Sequence, residues 1–92
     1  MNLRENNREL IGRETTNSGY GLRLLDLLFE KPIINIPLVQ KYLECSYGTA
    51  NKTVKQLENL QLLNEITGGQ RNRLYRYDPY LALFAGDYPL NE

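Results

Sequence analysis

Two groups of cations carry the chemistry this chain can offer. Lys52 and Lys55 stand three residues apart, and Arg71 and Arg73 bracket Asn72 behind the pair Gly68-Gly69. Ammonium and guanidinium groups are natural partners of phosphate oxygens. Lysines three apart share one face of a helix, and arginines beside paired glycines sit at the tip of a turn. Ser46, Tyr47 and Thr49 precede the lysines and add hydroxyls that hydrogen-bond to phosphates or base edges. The candidate contact set for a nucleic acid is therefore Ser46, Tyr47, Thr49, Lys52, Lys55, Arg71 and Arg73. A solvated helix face would account for the two lysines equally well; for the arginines, a merely soluble turn is the weaker account. Asn51 sits towards the flank of the same helix and reads first as a polar edge residue. Tyr75 and Tyr77 alternate along a strand, and Tyr47 is placed near the buried side of its helix. The three tyrosines are thus expected in the core rather than on a stacking platform for single strands. Cys45, at the end of an apolar helix, reads as a small buried hydrophobe without a role.

Several kinds of chemistry are excluded by what the 92 residues lack. There is no histidine, which removes the commonest general base, the serine and cysteine triads and most zinc sites. No phosphate-cradling Walker loop is present. Neither catalysis nor a cofactor or metal is expected. One cysteine, Cys45, cannot form an internal disulfide, which suits the cytoplasm. No apolar run approaches the roughly 20 residues that cross a bilayer, and the polar start Met-Asn-Leu-Arg-Glu-Asn-Asn-Arg has no signal-peptide core. Eleven basic residues balance eleven acidic ones, against strong nonspecific nucleic-acid binding. From Ser46 to Tyr77, however, five basic residues face two acidic ones, a local excess of +3.

The positioning elements follow from periodicity and punctuation. Residues 1–17 are polar, with Leu3, Leu10 and Ile11 at weak helical spacing, and read as a frayed helix or linker. Ser18 caps a helix from Gly19 to Glu30, with Leu22, Leu25, Leu28 and Phe29 on one side, stopped by Pro32. Ile33-Ile34-Asn35 reads as a short strand, and Asn35 caps a second helix that tolerates Pro37 in its first turn and ends near Cys45. Leu38, Val39, Tyr42 and Leu43 are its apolar side. Ser46 caps a third helix in which Ala50, Val54, Leu57 and Leu60 form a buried stripe, opposite Gly48, Lys52, Lys55 and Asn59. Strands over Leu62–Thr67 and Arg73–Tyr77 join through a glycine-rich loop. Asp78-Pro79 opens a last short helix, and the tail after Gly86 is expected to be loose. Residues 18–86 thus form one α+β, mostly helical domain: a winged helix-turn-helix, flanked by 1–17 and a flexible 87–92.

Three stretches also resemble a known family. They are Leu24-Leu25-Asp26-Leu27-Leu28-Phe29-Glu30-Lys31-Pro32, Ser46-Tyr47-Gly48-Thr49-Ala50-Asn51-Lys52, and Asn64-Glu65-Ile66-Thr67-Gly68-Gly69-Gln70-Arg71-Asn72-Arg73-Leu74-Tyr75. Together they are similar to the C-terminal winged-helix domain of Fic-family proteins, with Arg71-Asn72-Arg73-Leu74-Tyr75 the most specific part. The resemblance spans Leu22–Phe84, about two thirds of the chain. It implies a small winged helix following an all-helical AMP-transferase domain, with residues 3–13 as the end of a linker helix. The family's catalytic motif begins with a histidine followed by Pro-Phe and a glycine-asparagine loop, and this chain has neither, so nothing catalytic carries over. What is implied is an isolated domain or a fragment of a larger protein, with a DNA-binding or regulatory role.

Two functional expectations follow. In one, the helix from Ser46 enters the major groove of double-stranded DNA and the hairpin tip holds the backbone, with a homodimer on two half-sites supplying the affinity a thin patch lacks. In the other, the domain is a protein-interaction, dimerisation or regulatory module that docks on a partner, on itself or on a catalytic Fic domain of a parent protein, and Leu81 and Phe84 form its contact surface.

Overall fold

The computed structural model describes residues 3–14, 18–68 and 73–87. The elements run α1 Leu3–Glu14, α2 Ser18–Glu30, β1 Ile33–Ile34, α3 Ile36–Leu43, α4 Tyr47–Asn59, β2 Asn64–Glu65, β3 Tyr75–Arg76 and α5 Asp78–Asp87. This is a mostly helical α+β fold with one three-stranded antiparallel sheet in the order β1-β3-β2. No described helix is long and apolar enough to cross a membrane.

The capping residues act as their chemistry requires. Asn35 is extended, and its side chain accepts a hydrogen bond from the Leu38 amide at 2.8 Å, satisfying a donor that the first turn of α3 leaves open. At the other end Glu44 adopts the left-handed region, φ 55°, and its amide bonds back to the Gln40 carbonyl. The chain can then reverse within Glu44, Cys45 and Ser46 and start α4. Arg23 of α2 closes the same turn by donating to the Tyr42 and Leu43 carbonyls at 3.2 and 3.4 Å.

The core lies where α2, α3 and α4 meet under the sheet. Leu24, Leu25, Leu28, Val39, Leu43, Val54, Leu57, Tyr75 and Tyr77 are all essentially inaccessible to solvent. The stripe of α4 packs as its spacing requires, with Ala50, Val54 and Leu57 buried and Leu60 at the edge. On α2 Leu25 and Leu28 are buried as expected, but Leu22 and Phe29 are half-buried and Leu24 and Leu27 are buried instead, so the inward face is turned relative to the expected one.

The structure departs from two expectations. The N-terminal segment is a regular helix whose Ile11 is fully buried in the same core as the rest. Leu3, Asn7, Leu10 and Ile11 recur at helical spacing, so one side of α1 faces inward. Asn7 is buried as well, and its amide donates to the Tyr77 hydroxyl. The polar content that suggested fraying belongs to the opposite face. The hairpin strands are also shorter than the alternation implied, two residues each, with Asn64 opposite Arg76 and Glu65 opposite Tyr75. One further bond, from the Ile66 amide to the Leu74 carbonyl at 2.9 Å, extends the pairing towards the loop.

Gly21 is where α1 enters. A Cβ there would lie 2.9 Å from Ile11 Cγ2 and 3.6 Å from Leu57 Cδ1, so Ile11 rests on bare α2 backbone beside α4. Gly21→Val should cost about 1–3 kcal/mol through overpacking. Combining it with Ile11→Ala should cost less than the sum of the single variants by at least about 0.5 kcal/mol. Urea unfolding of the four proteins in that cycle measures this, and strict additivity would mean that Ile11 does not sit on Gly21.

Candidate nucleic-acid interface

α4 presents its outer surface from its first turn onward. Ser46 is extended, and its hydroxyl oxygen accepts from the Thr49 amide at 3.1 Å while donating to the Thr49 hydroxyl at 3.0 Å. The Thr49 carbonyl accepts from the buried Thr53 hydroxyl at 2.8 Å. Ser46 is thereby committed to starting the helix. Thr49 accepts from Ser46, which leaves its own hydroxyl proton free to donate outward. Ser46→Ala should destabilise the domain by about 1 kcal/mol. Ser46→Asp should restore that stability, because a carboxylate also caps and suits a helix N-terminus. Denaturant midpoints separate the two variants, and equal midpoints for all three proteins would remove Ser46 as the cap.

Tyr47 is the third correction. Its side chain is 56% exposed rather than turned to the core. As the first residue of the helix it lies ahead of the buried stripe that begins at Ala50, so no neighbouring element covers it. Tyr75 and Tyr77 do pack inward, as their alternation on a strand required.

The two lysines differ in what surrounds them. Lys52 is exposed and has no side-chain partner among the described residues. Lys55 leans onto the fold: its Nζ is 3.4 Å from Glu58 Oε1 and 5.6 Å from the centre of the Tyr75 ring. Partial desolvation pulls its pKa down, but the Tyr75 phenol and the Glu58 carboxylate outweigh this and hold the pKa above its ordinary value. Lys55 thus stays charged while tying α4 to β3.

The hairpin supplies the other part of the site. The Glu65 carboxylate accepts from the Thr67 hydroxyl and the Gly68 amide, each at 2.8 Å. These bonds, the Thr67 one foremost, with help from Arg73 and Lys55, hold its pKa below the usual carboxylate value. Gly68 takes φ +72°, a geometry that side-chain-bearing residues seldom adopt. The chain therefore leaves β2 in a fixed direction. Arg73 re-enters near Glu65, whereas Arg71 lies outside the described residues.

Of the seven expected contact residues, Ser46, Tyr47, Thr49, Lys52 and Lys55 thus share the N-terminal and outer part of α4, and Arg73 stands at the base of the adjoining loop. Leu81, named for the alternative interaction surface, is half-buried, and the Phe84 side chain lies outside the described residues. No group of three or more His, Cys, Asp or Glu able to hold a metal occurs among the described residues. Comparison with protein-family models, with curated proteins and with solved structures finds no match to this chain.

Proposed function

We propose that this chain is a winged helix-turn-helix module that binds double-stranded DNA, with α4 in the major groove and the β2–β3 loop against the backbone. One arrangement carries the reading. A helix, a three-residue turn and a second helix are followed directly by an antiparallel hairpin, and the middle strand of the sheet returns to pair with β1. That order matches the one in which such modules present a helix and a hairpin to DNA, and Lys55 of α4 lies against Tyr75 of the hairpin. Lys52, exposed and uncommitted, supplies the phosphate contact on α4.

The patch is thin, so one copy binds weakly, and a homodimer on two half-sites one helical turn apart reaches useful affinity. The resemblance of Leu22–Phe84 to the C-terminal domain of Fic-family proteins supports a module attached to a larger cytoplasmic protein. With no histidine in the sequence, this module would be non-catalytic.

The alternative, a protein-interaction or regulatory module, draws on the zero net charge and on Ile33 and Ile66, which are 45% and 37% exposed. Amide chemical-shift mapping separates the two. On adding a duplex, the amides from Tyr47 to Lys52 and the flanks of the hairpin loop should shift while α1 stays still. Absence of shifts with DNA, together with concentration-dependent shifts in α5 or around Ile33, would favour the interaction module.

A further inference from the structure

We propose that Asn51 and Tyr47 read one A·T base pair within each half-site. This rests on the DNA-binding reading and gives it a specific substrate. Most polar side chains in the first two turns of α4 are already engaged by the fold. Ser46 and Thr49 bond to each other, Thr53 is buried on the Thr49 carbonyl, and Lys55 leans on Glu58 and Tyr75. Tyr47, Asn51 and Lys52 are not, since none of the three has a side-chain partner among the described residues.

Tyr47 and Asn51 are four residues apart on one helix and so stand one above the other on the same face. Gly48 borders Asn51 on the side towards Lys52, and a Cβ there would meet only Ser46 Oγ, at 3.9 Å. The missing side chain lets this turn approach another surface closely.

The chemistry of the pair selects the base. An asparagine amide offers a donor and an acceptor, which match adenine N7 and N6 in a bidentate contact. Guanine presents two acceptors at the same place, so the amide oxygen would be left facing a lone pair. An aromatic ring one turn earlier reaches the apolar C5 methyl of thymine. Lys52, adjacent to Asn51, holds a phosphate and fixes the register without reading sequence.

The test is selection of duplexes from a randomised pool by the full 92-residue chain at low salt, followed by anisotropy on the selected duplex. The wild type should enrich one A·T pair at a fixed place in each half-site. Replacing that adenine by 7-deazaadenine should weaken binding about tenfold. Asn51→Ala should lose both the enrichment and the sensitivity to 7-deazaadenine while keeping the salt dependence of the wild type. Tyr47→Ala should lose sensitivity to uracil in place of thymine. Salt-dependent binding with no enriched A·T pair, or with the same preference in Asn51→Ala, would overturn this inference and leave the DNA-binding reading standing. No binding at all would overturn both.

Discussion

Lys52→Glu should lower affinity for duplex DNA by roughly tenfold or more and reduce the salt dependence by about one phosphate contact. The side chain is exposed and unpartnered among the described residues, so the substitution leaves the fold intact and acts at the surface alone. The local excess over Ser46–Tyr77 is only +3, and one reversal leaves +1. Reversing Lys55 as well brings it to −1, and the double variant should show no detectable binding. The two single variants differ in kind. Lys55→Glu also places a carboxylate beside Glu58 and removes the cation from the Tyr75 ring. It should therefore lower stability, whereas Lys52→Glu should not. Anisotropy titrations paired with urea unfolding distinguish the effects. Unchanged affinity in the double variant, with the domain folded, would refute the assignment of α4 as the DNA-contacting helix.

Tyr77→Ala should be the most damaging single change to the fold. The ring is fully buried, packs edge-on against Phe29 at 5.5 Å and stacks with Tyr80 at 6.1 Å between centroids. Arg4 of α1 lies 4.7 Å from the centre of the Phe29 ring and pairs with Asp26 at 3.1 Å, so the same cluster anchors α1. Truncating a buried aromatic costs about 3–5 kcal/mol, much of the roughly 5–15 kcal/mol that holds a domain folded. The variant should be largely unfolded at 37 °C.

Tyr77→Phe isolates the hydroxyl. It leaves the buried Asn7 amide without its partner, at about 1–3 kcal/mol. Burial pushes the Tyr77 pKa above its ordinary 10.0, against the opposing effects of Asn7 and Arg4. The folded state therefore holds this proton more tightly than the unfolded state. Its contribution is fully present below about pH 10 and is lost as pH rises through the folded value. Lys55, also raised, adds a loss of the same sign. Tyr77→Phe should accordingly show a shallower fall in stability between pH 9 and 11 than the wild type. Parallel pH profiles would show that the phenol is no more buried than in the unfolded chain.

How much of this could be read in advance depended on the range of the interactions involved. Asn35, Ser46 and Pro37 announce helix starts because capping is a local bond within three residues, and the caps at Asn35 and Ser46 form, whereas Ser18, expected as a cap, is itself the first residue of α2. The inward placement of Tyr75 and Tyr77 follows from strand alternation. The burial of α1 depends on partners distant in the chain, among them Gly21, whose missing side chain admits Ile11, and Tyr77, whose hydroxyl takes the Asn7 amide. Nothing in the local pattern of residues 3–14 reports that. The position of Tyr47 on the helical wheel borders the buried stripe and so suggests burial, while whether a first-turn residue is covered depends on the neighbouring elements. The different surroundings of Lys52 and Lys55 arise in the same way, from Tyr75 twenty residues further along the chain. The cation pattern is legible in the sequence; that Asn51 is uncommitted depends on the hydrogen-bond partners of its neighbours, which only the fold fixes.

Whether this domain binds duplex DNA through α4 is decided by salt-titrated fluorescence anisotropy with random duplex DNA. Affinity should fall linearly on a log–log plot with added salt, with a slope for one copy of roughly −2 to −3, as expected for a few phosphate contacts. No binding at low salt by the folded chain would mean that α4 does not contact DNA and would make the domain an interaction module instead.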